Sequence, residues 1–171
     1  KIMFSIIIPT LNNINYLKLC LKSLKKNSKF NHQIIVHVNK GNDGTTDFLN
    51  NSNIEYTFTN YNSGICEGVN KASKKSKFDY ILYAHDDFYF CPNWDKILFD
   101  EIKKMPDNKF YLSGIMMNNG PLKFDCGNNL DEFDENKLLD NFKNYNHYDF
   151  QGSTWAPHLI HKDLWNKVGG F

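Results

Sequence analysis

A chain of 171 residues is long enough for one domain with a sizeable core, and 20 basic against 19 acidic residues leave a formal net charge of +1. That balance argues against a polyanionic partner such as nucleic acid, and the lysine clusters Lys25-Lys26 and Lys74-Lys75-Ser76-Lys77 read as solvated helix ends. No apolar run approaches the roughly 20 residues of a membrane span, and no signal peptide is visible.

The first predicted element is Phe4-Ser5-Ile6-Ile7-Ile8-Pro9-Thr10-Leu11-Asn12, whose apolar run reads as a buried strand ended by Pro9, which lacks an N–H for the ladder. Ile14, Leu17, Leu21 and Leu24 follow at the spacing of one helix face. A second strand, Gln33 to Val38, runs into Asn39-Lys40-Gly41-Asn42-Asp43-Gly44-Thr45-Thr46-Asp47. That loop is dense in residues that take positive φ or bond their own backbone, and Thr45 or Thr46 is placed to N-cap the next helix. A third strand, Ile54 to Phe58, precedes Asn62-Ser63-Gly64 and a helix from about Ile65 to Lys75.

The fourth strand carries the chemistry. Tyr80-Ile81-Leu82-Tyr83-Ala84 is an apolar run that passes through His85 and stops at Asp86 and Asp87. The order β-α-β-α-β-α-β predicts a doubly wound α/β fold, a mostly parallel sheet with helices on both faces and one crevice at the C-terminal strand ends. Two adjacent carboxylates at that edge repel each other, and Mg²⁺ or Mn²⁺ would relieve the repulsion, with water and a diphosphate completing the coordination. The plain alternative is a solvated Asp-Asp turn.

Beyond this point, Trp94, Ile97, Leu98, Ile102 and Met105 form a helical stripe that reads as core. Residues 118 to 153 are rich in Asn and Asp, with turn signals at Gly120-Pro121 and Cys126-Gly127-Asn128-Asn129 and a short helix around Glu135 to Phe142. Cys20, Cys66, Cys91 and Cys126 form no Cys-x-x-Cys pair and read as reduced core or near-core thiols. The histidines show no metal-ligand pattern; His37 reads as a packed strand residue.

Taken together, these motifs resemble family 2 glycosyltransferases, inverting enzymes of the GT-A (Rossmann-like) fold that use nucleotide-sugar donors. Ser5-Ile6-Ile7-Ile8-Pro9-Thr10-Leu11-Asn12 is similar to the family's opening strand and nucleotide loop, and Asn39 to Thr45 to its acidic loop. Asn62-Ser63-Gly64 through Ala72 resembles the helix backing the donor site, and His85-Asp86-Asp87 with Cys91-Pro92-Asn93-Trp94 the metal motif. Val168-Gly169-Gly170-Phe171 is similar to the family's Val-Gly-Gly-Phe turn.

The resemblance implies transfer of a sugar from a nucleotide-diphosphate donor to a hydroxyl of a glycan, lipid-linked or protein acceptor, as in polysaccharide biosynthesis. It implies Mn²⁺ or Mg²⁺ on Asp87 and Asp86, and donor contacts from Pro9, Thr10, Asn12, Asn39, Asn62, Gly64, His85 and Asp86. It further implies one catalytic domain over residues 1–171, with a donor half at 1–90 and an acceptor half at 91–171, and a cytoplasmic location that extends to the inner face of a membrane by peripheral association.

Three departures stand out. Asn39 replaces the Asp that relatives use against the base, Val69 stands where an Arg is common, and His85 replaces the first acid of an Asp-x-Asp. The family's catalytic base lies past the Gly-Gly-Phe turn, so the expectation is a chain truncated at its C-terminus; Asp125, Asp131 and Asp149 are the weaker candidates within it. A nucleotidyltransferase is disfavoured because Pro9 to Asn15 holds neither Gly nor Lys for a phosphate loop. A non-catalytic nucleotide-sugar-binding module is the other alternative.

Overall fold

The periodicity of the first eighty residues translates directly into layers. A computed structural model describes residues 3–117, 124–145 and 156–171. Its elements are β1 (Phe4–Thr10), α1 (Ile14–Asn27), β2 (Gln33–Asn39), α2 (Thr45–Asn51), β3 (Glu55–Thr59), α3 (Gly64–Ser73), β4 (Tyr80–Tyr83), α4 (Trp94–Ile102), β5 (Tyr111–Ser113), α5 (Glu135–Asn141), β6 (His158–His161) and α6 (Lys162–Val168).

The six strands form one sheet in the order β3-β2-β1-β4-β6-β5. β1 to β4 are mutually parallel, whereas β6 runs antiparallel to both β4 and β5. Because successive strand residues face opposite sides, the central isoleucines split between two cores. Ile6 and Ile8 pack with Leu17, Leu21 and Leu24 of α1 and with Leu98 and Ile102 of α4. Ile7, Ile35 and Ile81 pack on the other face with Val69 and Ala72 of α3 and Trp165 of α6. Among the described residues, no helix is long and apolar enough to cross a membrane.

Several local expectations need correction. β1 continues one residue beyond Pro9, which pairs in register with His37, because proline's missing N–H does not prevent extended backbone. β3 is displaced by one residue, to Glu55–Thr59, and α3 spans Gly64–Ser73. Neither Thr45 nor Thr46 caps α2; Gly44 is the cap residue, in the left-handed region at φ 86°. Asp43 does the capping chemistry instead, accepting from the Thr45 N–H and hydroxyl at 3.2 and 2.7 Å. Ile97 points to solvent with 58% of its surface exposed, so the α4 stripe narrows to Trp94, Leu98 and Ile102. Cys20 and Cys126 are buried and Cys91 half-buried, all free thiols, but Cys66 is exposed.

At the N-terminal edge of the sheet lies a polar cluster that periodicity does not predict. Asp95, fully buried, accepts at Oδ2 from the backbone N–H groups of Lys29 and Phe30 and from His32 Nε2, at 2.7 to 3.0 Å, and at Oδ1 from Lys96 N–H. His32 Nδ1 accepts from Phe4 N–H at 3.0 Å, which fixes the ring proton on Nε2, aimed at the carboxylate. Burial pushes the Asp95 carboxyl up, but these hydrogen bonds outweigh it and hold the group below the ordinary carboxylate range.

Candidate active site at the strand ends

β4 ends where its burial ends. Tyr80 through Ala84 are buried, His85 and Asp86 are half-buried, and Asp87 is exposed. Thr10, the last residue of the neighbouring β1, donates its hydroxyl to Asp86 Oδ2 at 2.6 Å. Burial raises the Asp86 carboxyl above the usual range; hydrogen bonds from Thr10 and Asn13 oppose that, and the Asp87 charge reinforces it. Asp87 makes no hydrogen bond or ion pair with any described residue, which leaves both its oxygens available to a ligand.

His85 is held by its own strand. Its Nε2 lies 2.8 Å from the Tyr83 hydroxyl, and its ring stacks on Phe88 with centroids 4.9 Å apart. Burial pushes the Tyr83 phenol up to about 12, so it stays protonated and donates to Nε2. In the neutral ring, Nδ1 then carries the proton and is the donor free to meet a ligand.

The loops after β1, β2 and β3 are tied to one another. Asn12, at φ 50°, accepts through Oδ1 from Asn42 N–H at 3.0 Å. Asp43 accepts through its other oxygen from Ile14 N–H at the start of α1, at 2.9 Å. Burial alone would raise the Asp43 carboxyl, yet the hydrogen bonds from Thr45 and Ile14 bring it below its usual value. Asn62 Oδ1 accepts from Gly64 N–H at 3.0 Å, an Asx turn that delivers Gly64 to α3 at φ +72°.

Asn39, the last residue of β2, is almost completely buried; its Oδ1 accepts from Ser63 N–H at 3.0 Å and from the Ser63 hydroxyl at 2.6 Å. Behind this pair sits His37, fully buried, with Nε2 at 3.2 Å from Ser63 Oγ and 3.3 Å from Thr59 Oγ1. The Thr59 hydroxyl proton goes to the Tyr61 carbonyl and the Ser63 proton to Asn39, so neither can donate to the ring. Nε2 therefore carries the hydrogen, and Thr57 donates to Nδ1 at 2.7 Å. Burial and then the Lys71 charge lower the His37 pKa, consistent with the neutral ring. Helix α3 approaches this ring closely: a Cβ on Gly68 would lie 2.5 Å from His37 Cδ2.

Thr10, Asp86 and Asp87 thus meet at the β1 and β4 ends, and Asn39, Asn62 and Gly64 meet at the β2 and β3 ends, with Pro9 near the end of β1 and Asn12 in the loop that follows it. Asp125 and Asp131 lie in an exposed loop, where Asp125 Oδ1 is engaged by Gly127 N–H at 2.9 Å. Asp149 lies outside the described residues. Sequence reasoning missed Ser63 and Asp43 as loop anchors and treated His37 as packing alone. The signal was a polar side chain at a strand's last turns facing an Asn-rich loop.

No three His, Cys, Asp or Glu side chains among the described residues converge into a metal cage. The acidic pair still fits Mg²⁺ or Mn²⁺, which are commonly held by one or two carboxylates together with substrate phosphates. Asp87, exposed and without a partner, is the chemically available ligand, with Asp86 beside it.

The chain belongs to glycosyl transferase family 2, whose pattern matches residues 5–157. A search of curated proteins finds no match. Solved structures show the same GT-A fold. S. aureus TarS 1-349 in complex with UDP-GlcNAc superposes with a TM-score of 0.69 at 19% identity, over 98% of this chain and 48% of that one. The mannosyltransferase PcManGT from Pyrobaculum calidifontis, in complex with GDP-Man and Mn²⁺, gives 0.62 at 16% identity, over 98% and 47%. S. aureus TarS 1-349 in complex with UDP gives 0.61 at 22% identity, over 73% and 39%. The chain spans less than half the length of each.

Proposed function

We propose that this chain is the catalytic region of a transferase that moves a sugar from a nucleoside-diphosphate donor to a hydroxyl acceptor, with inversion and with Mn²⁺ or Mg²⁺. One observation carries the reading: in a member of this family, the buried strand β4 delivers a hydrogen-bonded Asp86 and an unpartnered Asp87 to the crevice beside Thr10. The neighbours in complex with UDP-GlcNAc and with GDP-Man and Mn²⁺ support the donor class and the cation.

In this reading the acceptor oxygen attacks the anomeric carbon as the bond to the diphosphate breaks, and a carboxylate base takes the acceptor's proton. Asp87 and Asp86 would hold a divalent cation, which would supply charge neutralisation for the departing diphosphate. Thr10 holds Asp86 in place through its hydroxyl, and His85 offers Nδ1–H to a phosphate oxygen. Pro9, Asn12, Asn39, Asn62 and Gly64 line the nucleoside side. The base is a carboxylate of the acceptor side: Asp125, Asp131, Asp149 or one downstream of Phe171.

Thermal unfolding with nucleoside diphosphates, each with and without Mn²⁺, tests the proposal. A ligand at 100 times its Kd adds about 2.7 kcal/mol. Stabilisation by at least one nucleotide, dependent on Mn²⁺, is the expected outcome. No stabilisation by UDP, GDP, CDP or ADP sinks it.

A further inference from the structure

We infer that Asn70 and Phe171 are positioning residues for His85: together they hold Tyr83 where its hydroxyl sets which nitrogen of the His85 ring carries the proton. The inference rests on the nucleotide-sugar reading above in taking His85 as a donor contact. It begins after α6, in the turn Val168-Gly169-Gly170-Phe171, to which that reading gives no part.

The turn is fastened to α3 by one side chain. Asn70 Oδ1 accepts from the Phe171 N–H at 3.0 Å, and Asn70 Nδ2 donates to the Phe171 carbonyl at 2.8 Å. Both polar groups of one amide thus go to the backbone of a single residue and fix it at two points. Gly170 lets the amide approach: its φ is +84°, and a Cβ there would lie 2.2 Å from Asn70 Oδ1.

What the clamp places is a ring. Phe171 meets Tyr83 edge to face, with centroids 5.1 Å apart and planes at 88°, and it meets Trp165 at 5.2 Å. Trp165 is itself anchored to α3, donating through Nε1 to Ser73 Oγ at 3.2 Å. Phe171 is 43% exposed, whereas Tyr83 and Trp165 are each 6% exposed, so Phe171 is the outermost of the three rings. Without it the Tyr83 ring loses its outer wall and its phenol meets water. The Tyr83 hydroxyl lies 2.8 Å from His85 Nε2, and a donor held there keeps the proton of the neutral imidazole on Nδ1. A phenol free to turn, or to bond water instead, no longer selects that tautomer. A clamp that served only to fasten α6 to α3 would lower stability when removed and leave His85 as it is.

Phe171→Ala and Asn70→Ala separate the two roles. In nucleotide-free protein, nitrogen NMR of the His85 side chain in mildly alkaline buffer is expected to show the proton on Nδ1 in the parent and a mixture of tautomers in both variants. A proton on Nε2 in the parent, or an unchanged Nδ1–H tautomer in either variant, overturns the inference. Calorimetric titration with UDP, GDP, CDP and ADP in Mn²⁺ gives a second measurement. For a diphosphate that binds the parent, each variant is expected to lose about tenfold in affinity, or about 1.4 kcal/mol, and to lose nothing further where His85→Ala is already present. The same loss in the His85→Ala background overturns the inference, because the effect then does not pass through His85. Should either variant fail to fold, Phe171→Leu, which keeps apolar bulk but not the ring edge, is judged by the same two measurements. Absence of binding by all four diphosphates to the parent overturns the nucleotide-sugar reading, and the tautomers alone then decide whether Asn70 and Phe171 position His85.

Discussion

The two ends of the same sheet treat a carboxylate in opposite ways. At the N-terminal edge, Asp95 spends both oxygens on four donors, and the His32 that serves it is itself fixed by Phe4 N–H. At the C-terminal edge, Asp86 receives hydrogen bonds from Thr10, at 2.6 Å, and Asn13, and Asp87 receives none from a described residue. The first arrangement lowers the carboxyl's pKa and the second raises it. A fully satisfied charge belongs to stability, whereas an under-satisfied pair is the arrangement that a ligand or cation would relieve, as proposed above.

Removing the satisfied charge should break the comparison most severely. Asp95→Ala leaves three backbone N–H groups and His32 without their acceptor, and a loss of about 3–5 kcal/mol is expected in urea unfolding. A loss below about 1 kcal/mol, the range of an exposed ion pair, would remove Asp95 from its structural role. At the other end, Asp87→Ala is expected to weaken Mn²⁺-dependent nucleotide binding about hundredfold, or about 2.7 kcal/mol, with an unchanged melting temperature. Equal affinity in variant and parent, each with Mn²⁺, would refute its role as metal ligand.

Gly68→Ala addresses the seam between the two roles. The added methyl meets the His37 ring, so about 1–3 kcal/mol of stability should be lost, the range for overpacking a core. Weaker nucleotide binding should accompany it, and intact binding at full stability would mean that α3 shifts freely. The smallest expected effect is on pH dependence. Asp95 has a folded pKa below its unfolded value near 3.9. Its contribution to stability is fully present above that unfolded value and is lost as pH falls through the folded pKa. Asp95→Asn should therefore flatten the acid limb of a stability–pH curve, and an unaltered limb would contradict the assignment.

The parallel half of the sheet was legible because its strands are long apolar runs whose exits coincide with Asn, Gly and Asp loops. The place of Asp86 and Asp87 at the end of β4 was legible for the same reason, since an apolar run that gives way to paired carboxylates marks a strand leaving the core. β5 and β6 were not recognised as strands: they are three and four residues long and separated by an Asn- and Asp-rich stretch that carries no period. The Asp95 cluster escaped because its partners are backbone N–H groups and a histidine more than sixty positions away, which no local pattern encodes. Asn39 was recognised as a departure from relatives, but the direction of its amide depends on Ser63, Thr59 and His37 meeting in space. Ile97 misled because a helical stripe shows which face is apolar, not how wide the covering layer is.

The absence of a side chain at Gly68 has a consequence for how the strand-end loops can change. Residue 68 lies on the buried face of α3, away from the strand ends, yet it abuts the ring that orients Ser63 and, through it, Asn39. A substitution there would shift the Ser63–Asn39 pair from behind, leaving every side chain at the strand ends as it is. A library that varies only the residues at the strand ends would therefore never sample a position on which their packing depends.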